Sequence, residues 1–203
     1  MQLSRAIALA SALIGFAPGF AAAQQSTLHD AILAVPAVSM TFSLQYLADD
    51  LGLWQKHGLR VKSQFIAGVG SSNAVIAGSA DMADASPPTV TRAAAHGQKL
   101  EAIATLQNRL FVELVLRKDL APGFDPKAPL AVRARFLKGR TIAVDSINSI
   151  IHAYVMLVAH RGGVPADSIQ IAPMAPPAML AAFKSGRSDG YDMSLPWPLV
   201  PVL

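Results

Sequence analysis

The residues best suited to chemistry are a glycine-bracketed hydroxyl cluster, Gly68-Val69-Gly70-Ser71-Ser72-Asn73, set where an alternating segment gives way to a helical one. Free backbone N–H groups at such a helix start attract an anion, and their arrangement suits sulfonate, carboxylate or nitrate. Gly70 is expected to let the backbone approach that anion closely, with Ser71 and Ser72 adding hydroxyls. Two other readings compete. A dinucleotide fingerprint is opposed by Asn73 in place of the third glycine and by the lack of a ribose-binding acid after the next strand. A plain tight turn needs nothing further.

Other polar groups fall at comparable places. Ser39 and Thr41, Ser86 and Thr89, and Ser146, Asn148 and Ser149 all follow expected strands and precede expected helices. Helix N-capping alone accounts for each of them. Their shared position at strand C-termini is what suggests ligand binding, because open α/β sheets bind there. Asn108 and Arg109 lie near the expected crossing between halves, where a guanidinium can grip an anionic head group through two parallel hydrogen bonds or simply face solvent. Asp192 is expected to face the cleft, and Trp197 either stacks on a solute or packs in the core. His152 and His160 are too far apart on one helix for a metal pair, and there is no Cys and no Gly-x-Ser-x-Gly elbow to support hydrolase chemistry.

The elements that must position these groups alternate strand and helix twice over. A strand over 30–36, a helix with Leu44, Leu47, Ala48 and Leu51 on one face ending at Gly52, and a strand over 60–67 lead into a third strand near Met82. That βαβαβ order predicts a parallel sheet. The second half retraces it with a strand over 141–144, a helix carrying Ile147, Ile151, Tyr154, Val155 and Val158 on one face, and a strand over 168–172. The segment from Ile103 to Leu116 reads as extended and links the two. The clearest sign of duplication is Gly78-x-x-Asp81-x-x-Asp84-x-Ser86-x-Pro88, which returns 108 residues later as Gly186-x-x-Asp189-x-x-Asp192-x-Ser194-x-Pro196. In both copies an Ala-rich helix runs into the Gly, and the first Asp is expected to fix the turn from helix to strand.

Residues 1–23 have the pattern of a secretory signal: Arg5, an apolar stretch to Phe16, Pro18 and Gly19, then Ala21-Ala22-Ala23 before Gln24. Beyond them no run of about 18 apolar residues suggests a spanning helix. With no Cys, neither lipid attachment at the cleavage site nor a disulfide is available, and the periplasm is the expected compartment. The net charge of +4 is dispersed, and its tightest basic group (Arg133, Arg135, Lys138, Arg140) has no interleaved aromatics, which argues against nucleic-acid binding.

The Gly52-Leu53-Trp54-x-x-x-x-Gly58-Leu59-x-Val61 stretch, followed by Gly68-x-Gly70 and Ala77-Gly78-x-x-Asp81, resembles periplasmic solute-binding proteins of the nitrate, sulfonate and taurine ABC importers. The resemblance implies a two-lobed α/β fold, each lobe a βαβαβ unit with a mainly parallel sheet, with lobe 1 over 24–110 and lobe 2 over 111–203. It implies a monomer without cofactor that captures a small anionic solute by closure and hands it to a membrane permease. Such chains return to complete lobe 1, so an end at Leu203 is expected to mark a C-terminally shortened form with an incomplete lobe 2. Two alternatives remain. Enzymes of the same fold that make a thiamine-precursor pyrimidine carry a cysteine cluster this chain lacks, and a sensory solute-binding module would look the same.

Overall fold

A computed structural model of the chain describes residues 27–202, so the expected leader over 1–23 lies outside the described residues. Strands β1 (His29–Val35), β2 (Leu59–Phe65) and β3 (Met82–Ala83) form a first sheet in the order β2-β1-β3, with both pairs parallel. Parallel neighbours need crossovers, here supplied by α1 (Ser43–Asp50) with the short α2 (Leu53–Lys56), then by α3 (Gly70–Ile76); α4 (Pro87–Ala95) follows β3. The second sheet holds β4 (Val112–Leu116), β5 (Thr141–Val144), β6 (Gln170–Pro173) and β7 (Gly190–Ser194) in the order β4-β7-β5-β6. There β5 runs parallel to β6 and β7, and only β4 is antiparallel to its neighbour. Helices α5 (Leu130–Ala134), α6 (Ile150–Arg161) and α7 (Pro176–Lys184) complete this half.

Side-chain alternation along β5 divides the second half into two apolar layers. Ile142 and Val144 pack with Ile151, Val155 and Ala159 of α6, whereas Ala143 faces Met179 of α7 with Tyr191 and Met193 of β7. The first half is thinner, with Ala34, Ala74 and Ala80 as its buried apolar cluster.

The sequence repeat is a structural repeat down to its hydrogen bonds. Gly78 and Gly186 both take left-handed backbone (φ 73° and 71°), as a helix-ending glycine does. Ser79 and Ala80 N–H bond back to the Ala74 carbonyl, and Arg187 and Ser188 bond likewise to Ala182. Asp81 then clamps the start of the next strand at Ile32, its carboxylate accepting from Ile32 N at 2.8 Å while its own N–H donates to Ile32 O at 3.0 Å. Asp189 makes the same pair of bonds to Thr141, at 2.9 Å each.

Three expectations are corrected. Of the expected α1 face only Ala48 is buried; Leu44, Leu47 and Leu51 are about half exposed, and Gln45, off that face, is buried with Ala48. Periodicity shows which side chains share a face but not which element lies opposite it. Of the extended segment only Val112–Leu116 is a strand, because only there does a partner, β7, supply the ladder. Ile147 is exposed ahead of the Ser149 cap and contributes nothing to the buried face of α6.

Gly190 marks the tightest point of the second sheet. A Cβ there would overlap the Val115 carbonyl oxygen of β4 and lie 2.7 Å from Leu116 Cδ2. Gly190→Ala is therefore expected to cost about 3 kcal/mol, seen in a thermal melt as a fall of roughly 6–12 °C. A variant melting like the parent would mean β4 does not pair with β7 in solution.

Candidate functional site

The C-terminal ends of five strands meet at one junction between the two halves. From β1, the loop through Ala37 to Phe42 reaches the second half: Met40 N donates to Leu195 O at 2.8 Å, and Trp197 Nε1 donates to Val38 O at 2.8 Å. Ala37 and Phe42 pack with Tyr191 and Met193, and the Tyr191 hydroxyl, whose pKa burial pushes up to about 12, donates to Trp197 O at 2.9 Å. From β2 and β5, Val69 N donates to Ser146 Oγ at 3.4 Å. From the start of α4's last turn, the Arg92 guanidinium donates to Asn148 O at 2.9 Å.

The glycine loop meets the second half of the protein at this junction. Gly68 N donates to Pro36 O, Gly70 N to Ala67 O and Asn73 N to Val69 O, so most of its backbone donors are already used. Left-handed backbone occurs at Gly68 (φ 56°), not at Gly70, which is the first residue of α3 and would bring a Cβ to 3.0 Å from Ile66 Cγ2. Ser71 Oγ stands 3.1 Å from both the Gly68 and Asp84 carbonyl oxygens, tying the loop to the end of β3. Ser72 is buried beside it with its hydroxyl unpaired.

The remaining candidates divide into those at the junction and those away from it. Ser39 caps the turn over Met40–Phe42 by accepting from Thr41 N at 3.1 Å, while the Thr41 hydroxyl is buried and unpaired. Ser149 caps α6 by accepting from His152 N at 3.1 Å, and Asn148 sits before it in left-handed backbone (φ 67°). Ser86 and Thr89 pair with each other at 3.0 Å at the start of α4. Trp197 bridges the halves through its indole N–H. Asn108 and Arg109 lie exposed in the irregular segment before β4; their neighbour Gln107 is the one that reaches inward, donating to Thr41 O at 2.6 Å.

Two acids, Asp84 and Asp192, stand among the buried polar side chains. Asp192 is 0% exposed, neither carboxylate oxygen has a partner, and burial together with nearby Asp145 holds its pKa well above the usual carboxylate range. Asp145 accepts from Ser146 N at 2.7 Å and from the Ser149 hydroxyl; burial raises its pKa, opposed by those bonds and by His152. At the equivalent place in the first half, burial pushes the Asp84 carboxyl up to about 6, and the Gln45 amide beside it draws it down slightly. Sequence reasoning reached Asp192 but missed Asp84, Asp145 and Gln45. The repeat held the signal for Asp84, since its register makes Asp84 the counterpart of Asp192. A depression of about 350 Å³ lined by Asp30, Ile32, Arg60, Lys62 and Asp81 lies at the other end of β1 and β2 and takes no part in this arrangement.

Two α/β halves, each offering strand C-termini and helix starts to a shared junction, define the two-lobed binding-protein fold. The family model described as NMT1/THI5 like matches residues 39–193, and the chain belongs to that family. Among solved structures, a protein of Bordetella bronchiseptica RB50 superposes with a TM-score of 0.69 at 22% identity, over 83% of this chain and 52% of its own. The periplasmic nitrate-binding protein of Synechocystis PCC 6803 gives 0.67 at 21% identity, over 86% and 49%. The alkanesulfonate-binding protein of Xanthomonas axonopodis pv. citri, bound to MOPS, gives 0.58 at 19% identity, over 83% and 55%. The chain thus spans about half the length of these proteins. No curated protein matches it in sequence.

Proposed function

We propose that the chain is the extracytoplasmic solute-binding component of an ABC importer, exported by its N-terminal leader, which holds a small organic or inorganic anion such as a sulfonate or nitrate between its lobes and presents it to a membrane permease. The observation that carries this reading is the convergence of strand C-termini on a junction where Thr41, Gln45, Ser72, Asp84 and Asp192 keep buried polar atoms without partners. Buried polar groups are normally satisfied, and a concentration of exceptions at the binding position of an α/β fold points to a missing ligand. The action is capture by hinge closure, which excludes water from the solute. The printed functions of the nitrate- and alkanesulfonate-binding relatives support the solute class.

The test is a thermal-shift screen with nitrate, alkanesulfonates, taurine and small carboxylates, followed by calorimetry. A true solute at a hundred times its Kd is expected to stabilise the protein by about 2.7 kcal/mol, or roughly 5–10 °C for a chain of this size. A panel with no shift at millimolar concentration would remove the small-anion assignment.

A further inference from the structure

The expected dispersal of positive charge does not hold. Residues 117–140 carry seven cations and two acids, whereas the rest of the chain carries ten cations and eleven acids, so this one segment accounts for the whole excess of +4. Folding then gathers those charges. Arg140 Nη2 donates to Leu120 O at 3.3 Å, which closes the segment on itself, and Arg133 Nε donates to Ala128 O at 2.9 Å, which holds the preceding loop to α5. The basic group expected to lack aromatics is also joined by two. Phe124 and Phe136 meet edge-on with ring centroids 5.8 Å apart, and the Arg135 guanidinium carbon lies 5.4 Å from the Phe136 centroid.

Much of this charge is uncommitted at the surface. Lys118, Lys127, Arg135 and Lys138 are exposed, and the ion pair that the segment makes among the described residues is Arg117–Asp119, at 2.6 Å. Apolar side chains stand among them. Phe124, on a loop turned at Gly123 (φ 69°), is 45% exposed, and Val132 of α5 is 37% exposed. Like charges gathered on one patch repel, and a surface of opposite sign relieves that repulsion.

We propose that this patch docks the protein on an anionic phospholipid surface, with the four exposed cations among the headgroups and Phe124 and Val132 at the boundary with the acyl chains. A folded acidic partner must set fixed carboxylates opposite flexible lysines, whereas a fluid headgroup layer brings a phosphate to each wherever it stands. Exposed apolar groups within a basic surface are what an interfacial contact uses. The contact is peripheral, because among the described residues no helix is long and apolar enough to cross a membrane. This docking does not depend on the solute reading and goes beyond it.

Sedimentation with vesicles tests it. The full chain, the patch variant Lys118→Gln/Lys127→Gln/Lys138→Gln and the control variant Lys56→Gln/Lys62→Gln/Lys99→Gln, which removes as many exposed lysines from the first half, are each mixed with vesicles of equimolar phosphatidylglycerol and phosphatidylcholine, or of phosphatidylcholine alone. At about 0.1 M salt the parent is expected to bind the anionic vesicles and not the neutral ones, and about 1 M salt is expected to release it. The patch variant is expected to partition on the order of a hundredfold more weakly, with the control variant within about threefold of the parent. The leader is common to all three proteins, so the difference between the variants reports the patch. A parent that ignores anionic vesicles, or two variants that weaken equally, overturns the lipid surface. Capture of the parent by immobilised polyglutamate without vesicle binding overturns it too, and assigns the patch to an acidic protein.

Discussion

Asp192→Asn is expected to raise the melting temperature of the solute-free protein at pH 7.5, on the order of 5 °C, even though it removes a proposed binding group. Burial and the neighbouring Asp145 hold the Asp192 pKa well above its ordinary value, and no partner offsets that. In the sign of the linkage, a group whose folded-state pKa is raised binds more protons folded than unfolded. Its contribution is therefore full below the unfolded carboxylate pKa and is lost as pH rises toward the folded one. Asparagine stays neutral throughout and escapes the loss. A buried unpaired charge costs several kcal/mol, and roughly 2–4 °C per kcal/mol applies at this chain length.

The pH profile follows from the same buried acids. Asp84, raised from 3.8 to about 6, adds a loss between those values, about 2 kcal/mol once residual solvent contact is allowed for. Asp145 shifts in the same direction, with Ser146, Ser149 and His152 opposing. The parent should be most stable in mild acid and lose stability toward neutral pH, and the Asp192→Asn curve should meet it near pH 4 and diverge above. Melting curves from pH 4 to 8 check this. A variant that melts below the parent at pH 7.5, or two curves running parallel, would mean that Asp192 is paired or solvated in solution.

What the sequence made legible is what local chemistry dictates. A helix, a glycine, an aspartate and a strand in fixed order can be read twice because each residue acts on its near neighbours: Gly78 and Gly186 end helices, and Asp81 and Asp189 each clamp the start of a strand. The mainly parallel pairing followed from the alternation of strand and helix along the chain. Long-range placement was not legible. Nothing local distinguishes Gln45 from the other polar residues of α1, and its burial depends on β3 bringing Asp84 up against it. Arg109 and Arg92 are both isolated arginines in the sequence, and only tertiary structure puts Arg92 at the junction. Gly70 and Gly68 likewise look interchangeable until the approach of Ser146 singles out Gly68.

That approach yields the most direct check on how the lobes meet. Gly68 holds left-handed backbone (φ 56°), and a Cβ there would overlap Ser146 Oγ and stand 2.7 Å from Ser146 Cβ. Gly78 holds similar backbone (φ 73°) with nothing within 4 Å of its Cβ position. Gly78→Ala should therefore cost only the conformational strain, about 1 kcal/mol. Gly68→Ala should cost that strain plus the collision across the junction, about 3 kcal/mol in all, and weaken solute binding because the lobes can no longer close over the site. Replacing the obstructing side chain separates the two contributions. The double variant Gly68→Ala with Ser146→Gly should recover binding and all but the strain, leaving it level with Gly78→Ala in urea unfolding. Equal costs for the two single variants, with no rescue from Ser146→Gly, would show that the lobes do not touch at Gly68 in solution.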